Sequence, residues 1–594
     1  MKLTRSRIIA AIAFLCLLAG SLEIYDPVAP KDAGTVLRAI EEKTELPVTD
    51  WVEAITGTTI AKPAPRKGSA KTIVDAAMDK MMEQQEVEQA AKALITLKNV
   101  QFTGVTILGD MELKGIVEPY LNTPMTYEQM LEISMVVESY YRKNNYLARA
   151  MLPPQDLTDG VLTVDVIESV FSKVEIEQEL EDLPNTQAHV TAIIEAQQKI
   201  GEPFNSKSLD RALALANDLP GMSAQGSLRQ GREAGETELL LKLYQGRTRQ
   251  AELTLDNGGS RSTGAMRYLI SLNWFNPNDI GDLLNVVAVH TKGSDYARLA
   301  YSTVVGSEGW RMGVNLSAMS YEVVVGEQGM VGAVGRAVTQ GMEWLYPLLR
   351  ADDRSATVTL TADTKKFENT SAQGLLMSDY SAKVMAAQVS GFYRDLNPGG
   401  GTGTYSLQLS HGSINLDGSL SQQTDATTVH TEGVFNKIRL NGSWQQALTT
   451  QTSAFVSYTG QLSDKNLDSS EKMQLGGMNG VRAYPTGEGS GSDAQLIQLE
   501  LRHQLENGIN MATFYDWGQV WLQHDPSYPG GPQHNQNTYK GFGASVGYTS
   551  DDGMTIKATW ARKHGQNPNP TQTGNDQDGT RDRNRYWLQV TLPF

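Results

Sequence analysis

The spacing of apolar and polar residues changes character once along the chain, near residue 247. Beyond that point, short segments of strictly alternating polarity recur to the last residue. In Trp310-Arg-Met-Gly-Val-Asn-Leu-Ser-Ala318, the residues Trp310, Met312, Val314, Leu316 and Ala318 fall on one face, and Arg311, Gly313, Asn315 and Ser317 on the other. Met554, Ile556, Ala558 and Trp560 alternate in the same way with Thr555, Lys557 and Thr559. A period of two with one apolar and one polar face marks a transmembrane β-barrel, although a soluble sandwich also alternates. About sixteen such segments can be counted, the size of a barrel with an aqueous lumen. Connections after even-numbered segments are mostly short, as at Gly306 to Gly309, Glu506 to Gly508 and Asp551 to Asp552. Those after odd-numbered segments are mostly long and polar, as at Ser413 to Val434, Leu462 to Asp493, Leu522 to Tyr539 and Lys563 to Arg585. Alternating long and short connections fit a barrel with one periplasmic and one external end.

Before residue 247 the period is helical, and two modules repeat one plan of strand, helix, helix, strand, strand. The first module, residues 94–168, predicts strands at Val100 to Leu108, Tyr146 to Met151 and Val161 to Glu168. Its helices are predicted at Met111 to Leu121 and from the capping box Thr126/Gln129 to Lys143. The second, residues 169–246, predicts strands at Phe171 to Glu177, Met222 to Leu228 and Thr237 to Tyr244, with helices at Thr186 to Ile200 and Ser206 to Leu219. Residues 22–93 form a lead-in. Asp32 to Lys43 predicts a short helix with Val36, Leu37 and Ile40 on one face; residues 62–68 are a linker by composition, and Ile73 to Leu94 a second helical stretch. The expected fold class is therefore α+β periplasmic modules followed by an all-β transmembrane barrel, residues 247–594, of about sixteen antiparallel strands.

Composition narrows the location. The first 21 residues carry basic Lys2, Arg5 and Arg7, an apolar run from Ile8 to Ala19 and small residues at Ala19 and Ser21, the pattern of a secretory signal. Hydrophobic residues make up 40% of the 594 and the mean hydropathy is −0.34, which excludes a bundle of spanning helices. The formal net charge of −16 argues against a nucleic-acid partner, whose phosphates call for a basic surface. Cys16 is the one cysteine, too few for a disulfide framework or a cysteine zinc site. At the other end Tyr586, Leu588, Val590, Leu592 and Phe594 occupy every second position; a last strand ending on an aromatic residue resembles the signal by which outer-membrane barrels are recognised for insertion.

Candidate chemistry centres on two motifs. The eleventh connection contains Gly476-Gly-Met-Asn-Gly-Val-Arg-Ala-Tyr-Pro485, and the thirteenth segment contains Phe514-Tyr-Asp-Trp-Gly518. Phe514, Asp516 and Gly518 share one strand face, with Tyr515 and Trp517 on the other. A charge facing lipid is costly near the membrane midplane, on the order of a few kcal/mol, so Asp516 points into the lumen. Arg482 is its natural partner if the long connection folds inward. In a wet lumen such a pair adds little stability; its value is positional, or else it only stiffens the barrel. Exchanging the two charges is then expected to recover part of any lost function. Gly487-Glu-Gly-Ser-Gly491 lacks the lysine and hydroxyl residue of a phosphate-binding loop. His524 and His534 share a connection, with nothing further to indicate a metal. No nucleophile elbow or zinc-protease helix is present, so neither a cofactor nor an enzyme activity is expected.

These residues resemble the transporters of two-partner secretion, the TpsB or haemolysin/haemagglutinin secretion-activation family. The family's loop motif Val-Arg-Gly-Tyr is matched by Val481, Arg482, Ala483 and Tyr484, and its strand motif Phe-x-Asp-x-Gly by Phe514, Asp516 and Gly518. Leu152 to Gly160 looks like the close of the family's first POTRA module, and Asp256 to Ser260 with Gly264, Asn276 and Pro277 like its first barrel hairpin. Asp32 to Arg38 resembles its pore-plugging helix. The departure is Ala483, where the family has glycine; positive φ there would strain an alanine. The resemblance implies an outer-membrane protein with POTRA modules in the periplasm, which takes a large exoprotein there and secretes it to the cell surface. Outer-membrane lipid, the barrel-assembly machinery and periplasmic chaperones are its further implied partners. A barrel-assembly insertase shares both motifs but carries more periplasmic modules. A passive porin and a secreted hydrolase are the remaining rivals.

Overall fold

The computed structural model describes residues 32–44, 94–178, 183–326, 331–397 and 399–594. The expected signal, linker and second helical stretch lie outside them. Sixteen strands form one closed barrel, each pairing antiparallel with its neighbour in sequence. The first, Arg249–Asp256, closes on the last, Asn584–Pro593, through a short pairing from Gln589↔Asp256 to Pro593↔Glu252. Closure leaves no strand edge facing lipid, which is what lets β-structure cross a bilayer. No described helix is long and apolar enough to cross one.

Alternation sets the faces. In the fifth strand, Trp310–Glu322, Trp310, Met312, Val314 and Leu316 are exposed outward, while Gly313 and Ser317 are buried. Past Ala318 the polarity inverts: Met319 and Tyr321 are buried inside, and Ser320 and Glu322 face out. The sixth to eighth strands, Val334–Arg350, Ser355–Thr370 and Leu376–Arg394, run to 17, 16 and 19 residues. A membrane crossing takes about 9–11 residues, so these strands project beyond the bilayer at the end where inward residues turn apolar.

Each module before the barrel is a three-stranded sheet backed by two helices. In the first, Val161–Glu168 lies between Asn99–Thr103, parallel to it, and Ala148–Met151, antiparallel. In the second, Glu236–Gln245 lies between Val170–Gln178 and Met222–Gln230 in the same senses. Helix Tyr127–Lys143 starts on a full Thr126/Gln129 capping box, which satisfies N–H groups that no helical carbonyl can reach. Two elements are shorter than the pattern predicts. The first strand ends at Thr103, because Gly104 turns at φ +74° against the Val166 carbonyl. Helix Asp110–Val117 gives way to a tighter turn over Glu118–Tyr120, where Pro119 removes a backbone donor.

The second module is fastened to the barrel's short turns. Asp279, between the second and third strands, accepts from Asn185 N (2.8 Å), Thr186 N (3.0 Å) and Thr186 Oγ1 (2.6 Å) at the start of helix Pro184–Gln197. Asp218 takes a bidentate bond from Arg350, 2.7 Å at each oxygen. The modules therefore mark the short-turn end of the barrel as periplasmic.

Helix Ala33–Thr44 lies inside the barrel, toward the other end. Ala33, Val36, Leu37 and Ile40 are buried against a lumenal wall that includes Val287, Met319, Tyr321, Phe367, Ala382 and Phe435. Its polar ties include Asn369 Oδ1 accepting from Ala33 N, Asp32 accepting from Ser469 Oγ, Gln474 Nε2 donating to the Thr35 carbonyl, and an ion pair of Glu41 with Lys365 at 3.8 Å.

Candidate functional site: the inward loop and the lumen

Residues 464–492 connect the eleventh strand, Thr452–Ser463, to the twelfth, Asp493–Gln504, and form the sixth connection at the long-loop end. This sixth external loop folds into the barrel rather than away from it. Arg482 reaches Asp516 on the thirteenth strand, Ile509–Trp521, through three bonds: Nη2 to Oδ1 at 2.6 Å, Nε to Oδ2 at 2.9 Å, and its own backbone N–H to Oδ2 at 3.0 Å. A forked guanidinium on a carboxylate fixes angle as well as distance. Arg482 Nη1 also bonds Glu500 Oε1 at 2.6 Å, and Glu500 in turn accepts from Arg502 at 2.7 Å. The guanidinium lies 3.4 Å from the centre of the Phe514 ring, a cation–π contact.

The remaining motif residues seat this ion pair. Val481, Ala483 and Tyr484 are fully or almost fully buried, and Tyr484 meets Tyr539 edge-on with ring centres 4.9 Å apart. Gly518 must be small: a Cβ there would sit 3.0 Å from both Leu475 and Val481. Gly541, on the fourteenth strand, Gln536–Thr549, makes room for Ala483, whose Cβ would lie 2.5 Å from one placed on the glycine. Trp587 Nε1 donates to the Arg482 carbonyl at 2.8 Å. Phe594 is exposed beside the seam, exchanging backbone bonds with Ala251. His524 pairs with Asp493 at 2.9 Å, away from the motif cluster.

Two expectations are corrected here. The Arg482–Asp516 pair is not in a wet lumen: Asp516 is 0% exposed and Arg482 5%, because the loop itself and Phe514 roof it. Ala483 is not among the residues with positive φ, so the alanine carries no left-handed strain. Glu500, Trp587 and Gly541 were missed. Glu500 could have been found, since it stands on the inward face of an alternating strand beside Arg502, as a charge in such a strand must.

The same loop closes a charge network with the seventh and tenth strands. Glu471 takes ion pairs from Lys437 at 2.6 Å and Lys365 at 3.3 Å. Burial alone would push its carboxyl up, but the two lysines hold it well below the usual range. Between loop, helix and wall remains a cavity of about 740 Å³ lined by polar side chains such as Arg298, Asn315, Glu343, Thr361, Gln408 and Asn441. It opens toward the second module through Asp218, Arg311 and Arg350.

Comparison with known proteins agrees with this architecture. Residues 235–549 match the family model "Haemolysin secretion/activation protein ShlB/FhaC/HecB", and residues 95–169 match "POTRA domain, ShlB-type". The heme/hemopexin transporter protein HuxB of Haemophilus influenzae is 23% identical over 490 residues, 81% of this chain and 84% of that protein. The outer membrane transporter CdiB of Dickeya dadantii is 24% identical over 421 residues, 69% of this chain and 72% of that one. CdiB from Escherichia coli has the same fold, with a TM-score of 0.67 at 18% identity over 90% of this chain and all of that structure. A barrel of sixteen strands, with POTRA modules at its periplasmic end and an inward loop, thus belongs to the haemolysin secretion/activation protein family, the outer-membrane transporters of two-partner secretion.

Proposed function

We propose that this transporter takes one large, extended exoprotein from the periplasm, carries it along the polar face of its lumen and releases it at the cell surface. The observation that carries this reading is the cavity that runs from the second module to the inward loop, with charged and amide side chains in its wall and the apolar face of the helix seated against the lumen. In this reading residues 1–21 are a cleaved signal, 22–93 the plug and its tether, 94–168 and 169–246 the receiving modules, and 247–594 the conduit. The edge strands Asn99–Thr103 and Met222–Gln230 suit an extended cargo, which can add to a sheet by backbone pairing. The motif set Val481, Arg482, Ala483, Tyr484 with Phe514, Asp516 and Gly518 holds the loop's position during passage. Phe594 serves insertion, with the barrel-assembly machinery and periplasmic chaperones as partners before the lipid bilayer. Cargo folding outside supplies the direction. No catalytic step is assigned.

Co-expression with a large secreted repeat protein encoded beside its gene is the test. Release of that protein into the medium only when this chain is present is the expected result. If cell-surface release is unchanged but unrelated barrels fail to insert, the insertase reading replaces this one.

A further inference from the structure

The sixth external loop is held at a second point that Arg482 and Asp516 do not account for. Glu488, in the Gly487–Gly491 run, is 0% exposed. Its Oε1 accepts from Asn567 Nδ2 at 2.9 Å and its Oε2 from the Gln577 backbone N–H at 2.8 Å. Both donors belong to residues 564–583, the eighth external loop, between the fifteenth and sixteenth strands. The same Asn567 amide nitrogen donates to Asp576 Oδ1 at 2.7 Å, so one donor bridges two carboxylates. The Asn567 oxygen accepts from Asn569 N at 2.9 Å, which fixes the amide's orientation.

Charge at this point is unbalanced. Lys563 and Arg585 both pair with Asp576, and Arg585 also reaches Asp578 at 3.0 Å. Three carboxylates thus share two cations, and among the described residues no ion pair reaches Glu488. Tyr484 and Tyr539 are the other titratable groups near it. Burial first, and the Asp576 carboxylate second, push Glu488 up to about 7. Such an acid costs stability if it only fills space. Its worth lies in joining two loops that the strand ladder leaves independent.

We propose that Glu488 is a positioning residue for transport: with Asn567 it latches the sixth external loop to the eighth and so keeps the loop in its seat while cargo passes. The proposal rests on the role given above to the sixth loop, but loop mobility can be read without cargo, so the two can fail separately.

The test uses the full chain, purified in detergent, with a nitroxide on Asn479→Cys in a Cys16→Ser background; Asn479 is exposed in the sixth loop. Asn567→Asp removes the shared donor and adds a carboxylate. The mobile fraction of the label should rise roughly tenfold or more, as expected for losing a charge-assisted bond. Adding Glu488→Gln to Asn567→Asp gives the new carboxylate a donor and should recover part of the immobile fraction, the remainder being lost to Asp576. If Asn567→Asp does not insert, Asn567→Ala removes the donor without adding charge and should give the same rise. An immobile label in either Asn567 variant, or a mobile one that Glu488→Gln leaves just as mobile in the pair, overturns the latch.

A pH series adds a readout that bulk packing would not move. The docked Glu488 holds its proton more tightly than a released one, so protons favour docking. Docking is strongest at and below the ordinary carboxylate range and weakens as pH rises toward about 7. Mobility should therefore climb between pH 5 and 8 in the parent and stay flat with Glu488→Gln; equal slopes overturn Glu488 as the titrating group.

Discussion

Two elements enter the barrel and they are held in opposite ways. Helix Ala33–Thr44 presents Ala33, Val36, Leu37 and Ile40, at i, i+3, i+4 and i+7, to an apolar wall. That contact is non-directional. Burying each large aliphatic side chain is worth about 1.5–3 kcal/mol, and polar ties to Asn369, Ser469, Gln474 and Lys365 add to it. The sixth external loop is held by directional bonds, five of them on Arg482 and Glu488 side chains alone, and it is tethered at both ends. An apolar contact tolerates sliding. A loop on forked ion pairs has one seat. In the transport reading proposed above, the helix is the part that leaves and the loop the part that stays.

The largest expected effect comes from breaking the fixed part. Asp516→Ala leaves Arg482 buried with half its partners, at a cost of about 3–5 kcal/mol to the loop's docking. Export should fall to background while the barrel still resists SDS at room temperature, because the strand ladder is untouched. This is a larger penalty than a wet pair implies. The charge exchange Arg482→Asp with Asp516→Arg should not rescue it, since the new carboxylate would face Glu500. Recovery of export in the exchanged protein would show that Glu500 does not share the site.

Loosening the removable part has the next largest effect, of a different kind. Leu37→Ala should weaken the helix's hold by about 2–4 kcal/mol and raise the fraction of time single channels spend in the high-conductance state. Deleting residues 22–60 should make that state permanent. Neither change should alter the heat-shift of the barrel on a gel. Unchanged conductance in the deletion would mean the helix does not set the pore's width.

Smaller still is overfilling the loop's seat. Gly518→Ala pushes a methyl to 3.0 Å from Leu475 and Val481, an overpacking of about 1–3 kcal/mol. Export should drop only partly, and trypsin should cut at Arg482 faster than in the parent. An equal cleavage rate would show that the loop adjusts.

Much of this was legible in the sequence, for a stated reason. Lipid and lumen alternate along every strand, so the period of two carried both the strand count and the inward direction of Asp516. The capping box at Thr126 and the helical face of Val36, Leu37 and Ile40 depend on near neighbours, and they too could be read. What could not be read depends on how a long loop closes. Asp516 is dry because residues far along the chain cover it, and no local pattern encodes that. Trp587, Gly541 and Asn567 join the site only after the barrel has closed. The first module's opening strand was overextended because apolar residues continue through Val105 and Ile107, past the turn at Gly104.

The smallest effect tests the residue where this chain departs from its family. Ala483→Gly would restore the family's loop motif, and a strained alanine would make that change stabilising. The backbone here lies outside the left-handed region, so no strain is relieved. Glycine instead adds freedom to the undocked loop, costing about 0.5–1 kcal/mol. It also empties the space that Gly541 leaves for the Ala483 methyl. Both terms point the same way, and both are small beside the forked bonds on Arg482. Ala483→Gly should therefore export at close to the parent level, with slightly faster proteolysis of the loop. A gain in thermal stability would mean that the tip is strained after all and that alanine is tolerated only because the ion pair holds it down. Paired with Gly541→Ala the sign should reverse: the new methyl then has room only if Ala483 has lost its own, so the double variant should be more stable than Gly541→Ala alone. That coupling, read in a double-mutant cycle, measures how tightly the strand grips the loop's tip.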